Sequence, residues 1–178
     1  SARQTGKPQI WLLPLGGGEA RRLTNLSTGA WGPVWSPNSE AIAFASKVYP
    51  ACKGAAADAC NAKKLAAKKK SKVKGRVITS LLYRHWNHWR DERRKHVFVM
   101  PIKGGAPRDL TPGAFDAPPL ALGGYHDYTF SPDSKTLAYA SNTDKFLATS
   151  TNNDVFEVSV KGGKAKRISS SKGNDNSP

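Results

Sequence analysis

The chain has 178 residues, 16 Gly, 12 Pro and a mean hydropathy of −0.54, which is enough for one domain with a full core and rich in turn formers. That composition argues against a helical bundle, and no stretch approaches the roughly 18–20 apolar residues of a membrane span. The net charge of +15 points first to a polyanion partner, yet thirteen Lys and Arg lie between Asn61 and His96 against two acids, Asp91 and Glu92. The high isoelectric point therefore describes one segment and not the whole chain.

The first recognisable phrase is Gln9–Thr24, QIWLLPLGGGEARRLT. It returns as Val97–Thr111, VFVMPIKGGAPRDLT, and as Asp154–Ser169, DVFEVSVKGGKAKRIS. In each copy the second glycine stands five positions before the closing Leu or Ile: Gly18 before Leu23, Gly105 before Leu110, Gly163 before Ile168. An apolar strand, a Gly-Gly turn at positive φ and a short second strand are predicted three times.

A second phrase, Pro33–Ser46, reads PVWSPNSEAIAFAS and recurs 95 residues later as Tyr128–Ser141, YTFSPDSKTLAYAS. Pro37 and Pro132 preset φ for the second position of a turn, and Asn38 and Asp133 suit the third. The strands that follow alternate with period two. Ile42 and Phe44, later Leu137 and Tyr139, take one face, and Ala41, Ala43 and Ala45 take the other.

Between the two hairpins of the first full repeat lies an insertion, residues 47–95. Its first part, 48–76, is rich in Ala and Lys, and AAADACNAKKLAAKKK reads as a basic helix or as a solvated, unstructured run. Cys52 and Cys60 are the only cysteines, and they form either a disulfide in an oxidising compartment or two free thiols. The second part, 77–95, is aromatic and basic, with Tyr83, His85, Trp86, His88 and Trp89 followed by Arg90, Asp91 and Glu92. Val77, Ile78, Leu81 and Leu82 are expected to anchor a short element on the sheets.

One Ser-Pro hairpin followed by one Gly-Gly hairpin makes four antiparallel strands in roughly 40 residues, the period of a propeller blade. The expected fold is all-β: a partial β-propeller of about two and a half four-stranded antiparallel blades, with a partly helical basic insertion. Residues 1–178 are then one propeller domain, and both ends fall inside the repeat, as in a piece of a longer propeller. Such outer blades expose their edges, so self-association through them is expected.

Little in the chain carries chemistry by itself. Cys52, Cys60, His85 and His88 match no common zinc spacing, so neither a metal nor another cofactor is expected. The basic run and the aromatics are largely separate in sequence, which speaks against specific nucleic-acid binding. There is no G-x-S-x-G elbow, and the four histidines, His85, His88, His96 and His126, lie in no recognisable triad context.

The hairpin phrases and the segment LLYRHWNHWRDERRKHVFV resemble the N-terminal β-propeller of prolyl oligopeptidase family serine peptidases, in particular the bacterial dipeptidyl-peptidase 5 and acylaminoacyl-peptidase branch. Tyr83-Arg84-His85-Trp86 with Trp89 is the sharper mark, because TolB-type propellers share the hairpin phrases. The resemblance implies an exopeptidase in which a C-terminal α/β-hydrolase domain holds the catalytic triad and the propeller gates and positions the peptide. No catalytic residue maps onto this chain, and the chain alone is expected to be inactive. A peptide ammonium needs a carboxylate, so Asp91 and Glu92, lined by Tyr83, Trp86 and Trp89, are the candidate substrate-binding residues. The alternative is that both acids pair with Arg90, Arg93 and Arg94 and that the tryptophans are packing. With the cysteines, the resemblance implies a periplasmic or secreted bacterial protein. The competing functions are a TolB-like protein-binding propeller and a basic nucleic-acid module.

Overall fold

Each repeated phrase folds as a hairpin for reasons local to it. The computed structural model describes residues 6–73, 75–79, 81–120 and 127–178; Lys74 of the basic run and His126 lie outside the described residues. In chain order the elements are β1 (Trp11–Leu12), β2 (Arg21–Arg22), β3 (Trp31–Trp35), β4 (Ala41–Val48), the helix α1 (Ala57–Lys70), β5 (Arg84–His85) and β6 (His88–Trp89). There follow β7 (Arg94–Pro101), β8 (Arg108–Asp109), β9 (Tyr128–Phe130), β10 (Thr136–Ser141), a 3₁₀ turn (Leu147–Thr149), β11 (Asp154–Ser159) and β12 (Lys166–Arg167).

Two four-stranded antiparallel sheets form, β3-β4-β7-β8 and β9-β10-β11-β12, and β1-β2 supplies the outer half of a third. The chain is thus a partial all-β propeller of two blades and a half. Between β4 and β7 the pairing runs unbroken from Ala41↔Pro101 to Val48↔Arg94, so the insertion leaves and rejoins the blade at adjacent strand ends.

The Ser-Pro turns are built alike. Ser39 N–H donates to the Ser36 carbonyl at 2.8 Å, and Ser134 N–H to the Ser131 carbonyl at 2.9 Å. The Asn38 and Asp133 side chains each accept from the preceding serine hydroxyl, at 2.7 Å in both turns, and from the amide two residues on. This web holds Ser39 and Ser134 at φ 60° and 61°, a left-handed conformation that costs a non-glycine residue roughly 1–2 kcal/mol. The Gly-Gly turns need no such help, with both glycines at positive φ in all three.

The closing Thr or Ser of each Gly-Gly phrase has a role that the phrase alone does not reveal. Thr24, Thr111 and Ser169 accept hydrogen bonds on their hydroxyls from the amides of Ile10, Val97 and Val155, at 2.8, 2.9 and 2.9 Å. Each closes the outer hairpin where ladder pairing has run out. The arginine three positions before that residue bridges neighbouring blades: Arg21 donates to the Ile102 carbonyl at 2.6 Å and Arg108 to the Val160 carbonyl at 3.2 Å.

Blades stack large face on small face. Ala43 and Ala45, with Val97 and Val99, form one buried cluster with Tyr128, Phe130, Leu137, Tyr139 and Val158 of the second blade. The opposite face of β4 places Ile42 and Phe44 against Ile10 and Leu23 of the half-blade, with Phe44 and Phe98 stacked at 5.7 Å between ring centroids. Full burial of side chains such as these contributes about 1.5–3 kcal/mol each. The Tyr128 hydroxyl donates across the blades to the Gly32 carbonyl. Burial, aided by the Asp109 charge, pushes the Tyr139 phenol up to about 12.

Because β4 meets the second blade through alanines alone, Ala41, Ala43 and Ala45, Ala45→Leu is expected to cost about 1–3 kcal/mol by overpacking. Ala138→Leu, on the face of the second blade outside that cluster, is expected to change stability by less than about 0.5 kcal/mol. Urea denaturation of the two variants makes the comparison, and equal losses contradict the large-on-small account.

Candidate functional site

The insertion is tied down by polar and covalent contacts, not by an apolar face. Cys52 and Cys60 form a disulfide just before and within the first turn of α1. Asn61, the buried residue of α1, accepts from the Tyr49 amide at 2.8 Å and donates to the Ala57 carbonyl at 2.9 Å. Asp58 accepts from the amide and hydroxyl of Ser27 at 2.9 and 2.8 Å, which fastens the helix N-terminus to the loop before the first blade. Lys68, Lys69 and Lys70 occupy the last turn, where cations suit the helix dipole.

The stretch expected to anchor the second part does not do so. Val77, Ile78 and Leu81 are exposed, and only Leu82 is partly covered. The anchor lies further on. Arg90 forms an ion pair with buried Asp116 at 2.7 Å, and the other Asp116 oxygen accepts from the Lys95 amide at 2.8 Å. A salt bridge between distant residues replaces the apolar plug because the side chains nearer in sequence have no sheet face left to cover.

Asp91 lies at the centre of a second charged cluster. Its carboxylate meets Lys68 and Arg93, each at 2.9 Å, and Lys47 at 3.9 Å, so it joins β4, α1 and the residue that leads into β7. Burial by itself raises the Asp91 pKa, but hydrogen bonds from Arg93 and Lys68 and the Arg93 and Lys47 charges outweigh it and hold the carboxyl well below the usual carboxylate range. Glu92 is exposed and forms no ion pair among the described residues.

The aromatic part is a small hairpin, β5-β6, pairing Arg84 with Trp89 and His85 with His88. Trp86 sits in its turn at φ 51°, 68% exposed. Tyr83 stacks on Trp89 with ring centroids 5.9 Å apart. The hairpin, α1 and the loop around Phe146 wall a groove of about 1350 Å³. Tyr83, Trp89, Asp91 and Glu92 all line it, whereas Trp86 does not. A smaller cavity of about 540 Å³, against the second blade, is lined by His85, Asp116, Asn142 and Asn153 among others. Sequence reasoning brought four of the five candidate residues to one wall. It missed Tyr49, Lys64, Arg76 and the Lys145-Phe146 pair, which come together in the groove only through the fold, and Asp116, which anchors Arg90 and lines the smaller cavity.

No known family profile matches the chain. Over 159 residues, 85% of its length, it is 30% identical to dipeptidyl-peptidase 5 of Porphyromonas endodontalis. Over 104 residues, 55% of its length, it is 34% identical to dipeptidyl-peptidase 5 of Porphyromonas gingivalis. The chain is a relative of dipeptidyl-peptidase 5. The matches cover 21% and 15% of those proteins, so the chain spans about a fifth or less of the length of these dipeptidyl-peptidase 5 relatives. Among solved structures it is similar to a putative TolB from Agrobacterium tumefaciens, with a TM-score of 0.49, 13% identity and coverage of 89% of this chain and 40% of that one. The corresponding values for TolB from Acinetobacter baumannii are 0.47, 12%, 90% and 26%.

Asp91 contributes stability that is fully present above its unfolded pKa of about 4 and is lost as pH falls toward its lower folded value. Asp91→Asn is expected to cost roughly 2 kcal/mol at pH 7, the scale of hydrogen bonds to a charged group. The gap to the unmodified chain is expected to narrow below pH 4. Denaturant unfolding at pH 7 and pH 3 measures this, and a gap independent of pH rules out an ionic role.

Proposed function

We propose that the chain is the propeller portion of a serine exopeptidase of the dipeptidyl- or acylaminoacyl-peptidase type, which gates and positions peptides for an α/β-hydrolase domain elsewhere in the parent protein. The observation that carries this reading is the kinship with dipeptidyl-peptidase 5 across 85% of the chain. The groove is in keeping with it, being larger than the roughly 300–1,000 Å³ of a small-molecule site and lined by aromatic rings. Glu92 receives the substrate's terminal ammonium in this proposal: it is exposed beside Tyr83 and Trp89, while Asp91 is already held by three cations. The Cys52–Cys60 disulfide suits an oxidising compartment, so a periplasmic or secreted location belongs to the same proposal.

A fluorophosphonate probe for active-site serines is expected to label the parent protein and to leave this chain unlabelled. Labelling of the chain itself, or none of the parent, overturns the reading. In the parent, Glu92→Gln is expected to raise KM about tenfold or more for peptides with a free amino terminus, with kcat little changed and N-acylated peptides unaffected. Equal effects on both substrate types remove Glu92 from the proposal.

A further inference from the structure

Three cations around the groove lie over aromatic rings. Lys64 Nζ stands 5.2 Å from the Tyr49 ring centroid, Arg76 Cζ 5.2 Å from that of Trp89, and Lys145 Nζ 5.3 Å from that of Phe146. All six residues line the same groove, and none of the three cations forms an ion pair among the described residues. They come from three separate parts of the chain: α1, the stretch after it, and the loop following β10. A ring face attracts a cation head from one side and leaves its other side open to a second partner. Of the two acids among the described residues lining the groove, Asp91 is already matched by its own cations, which leaves Glu92 facing the three. Ile78 and Phe146 add exposed apolar surface to this basic frame.

We propose that this groove binds acidic peptide segments, with Asp or Glu side chains set against Lys64, Arg76 and Lys145 and apolar neighbours laid on Ile78 and Phe146. The inference rests on reading the chain as a peptide-handling propeller, and it assigns that groove a substrate class. Single-stranded nucleic acid fits the geometry less well. Bases stack on successive open ring faces, whereas the Trp89 ring already carries Arg76 and Tyr83 and the Tyr49 ring is buried beneath Lys64, which leaves Phe146 as the one open ring of the three. Together with Glu92 at the amino terminus, the cations make the groove bipolar, matched to a peptide whose negative charges lie downstream of its free amine.

The test uses fluorescence anisotropy on the whole chain with labelled octapeptides, acetylated and amidated at their ends, that alternate Glu with Leu or Phe. The Glu peptide is expected to bind at least tenfold more tightly than its Gln counterpart, with affinity falling as salt rises. Arg76→Gln with Lys145→Gln is expected to weaken the Glu peptide at least tenfold and to leave the Gln peptide unchanged. Both side chains are exposed, and unchanged thermal unfolding is the check that the fold is kept. Equal binding of Glu and Gln peptides, or unaltered affinity in the double variant, overturns the proposal. So does binding only when the peptide's own carboxy terminus is left free, or tighter binding of a single-stranded oligonucleotide of equal charge. A parent that labels with the serine probe, while peptide binding ignores charge, sinks this inference alone. A parent that fails to label, while Glu peptides bind as expected, sinks the peptidase reading alone.

Discussion

The contact between β4's alanine face and the second blade sets the terms for the rest of the molecule. Ala43 and Ala45 are fully buried, and the space they leave is filled by Tyr128, Leu137 and Tyr139 from the next sheet. Close-packed interiors leave no voids of that size, so β4 presents its small side chains to the second blade and its large ones, Ile42 and Phe44, to the half-blade. The direction of stacking follows, and so do the bridges that cross it. Arg21 and Arg108 reach the carbonyls of Ile102 and Val160 at equivalent positions, and the Tyr128 hydroxyl reaches Gly32. These bonds are positional; the buried apolar surface supplies most of the stabilisation.

The insertion obeys a different rule. It has no sheet face to cover, and α1 buries only Asn61. A disulfide, the Asp58 and Asn61 hydrogen bonds, and the ion pairs of Asp91 and Asp116 hold it instead. A segment dense in lysine and arginine repels itself, and burial lowers the pKa of Lys47 and Lys95 even though acids stand near both. Asp91 and Asp116 answer that repulsion where the strands return to the blade. Lys64 and Arg76, which those acids leave unmatched, rest on the rings of Tyr49 and Trp89, and with Lys145 over Phe146 they give the groove wall a positive charge.

The blade architecture was legible in the sequence because its determinants are local. Pro37 with Asn38, Pro132 with Asp133, and each Gly-Gly pair act within a few residues of themselves, and the repeats printed that chemistry more than once. Even there, Ser39 and Ser134 at positive φ were not foreseen, because serine has no general preference for that region. The groove was legible only in part. Tyr83, Trp89, Asp91 and Glu92 stand close in sequence and share a wall, but Trp86 turned outward at the tip of its hairpin. Val77, Ile78 and Leu81 resemble an anchor by composition and remain exposed because no complementary surface stands opposite them.

By itself, then, the sequence determined the hairpins, their order, the four-strand period and the place of the insertion, since turn chemistry and alternation are properties of short stretches of chain. Only the tertiary structure decided what the basic segment does with its charge. Asp91 was taken by Lys47, Lys68 and Arg93, Arg90 was drawn to Asp116, and Lys64, Arg76 and Lys145 were carried from distant positions to one groove. Such pairings depend on distances of a few ångströms between residues far apart along the chain, and those distances exist only once the blades have stacked.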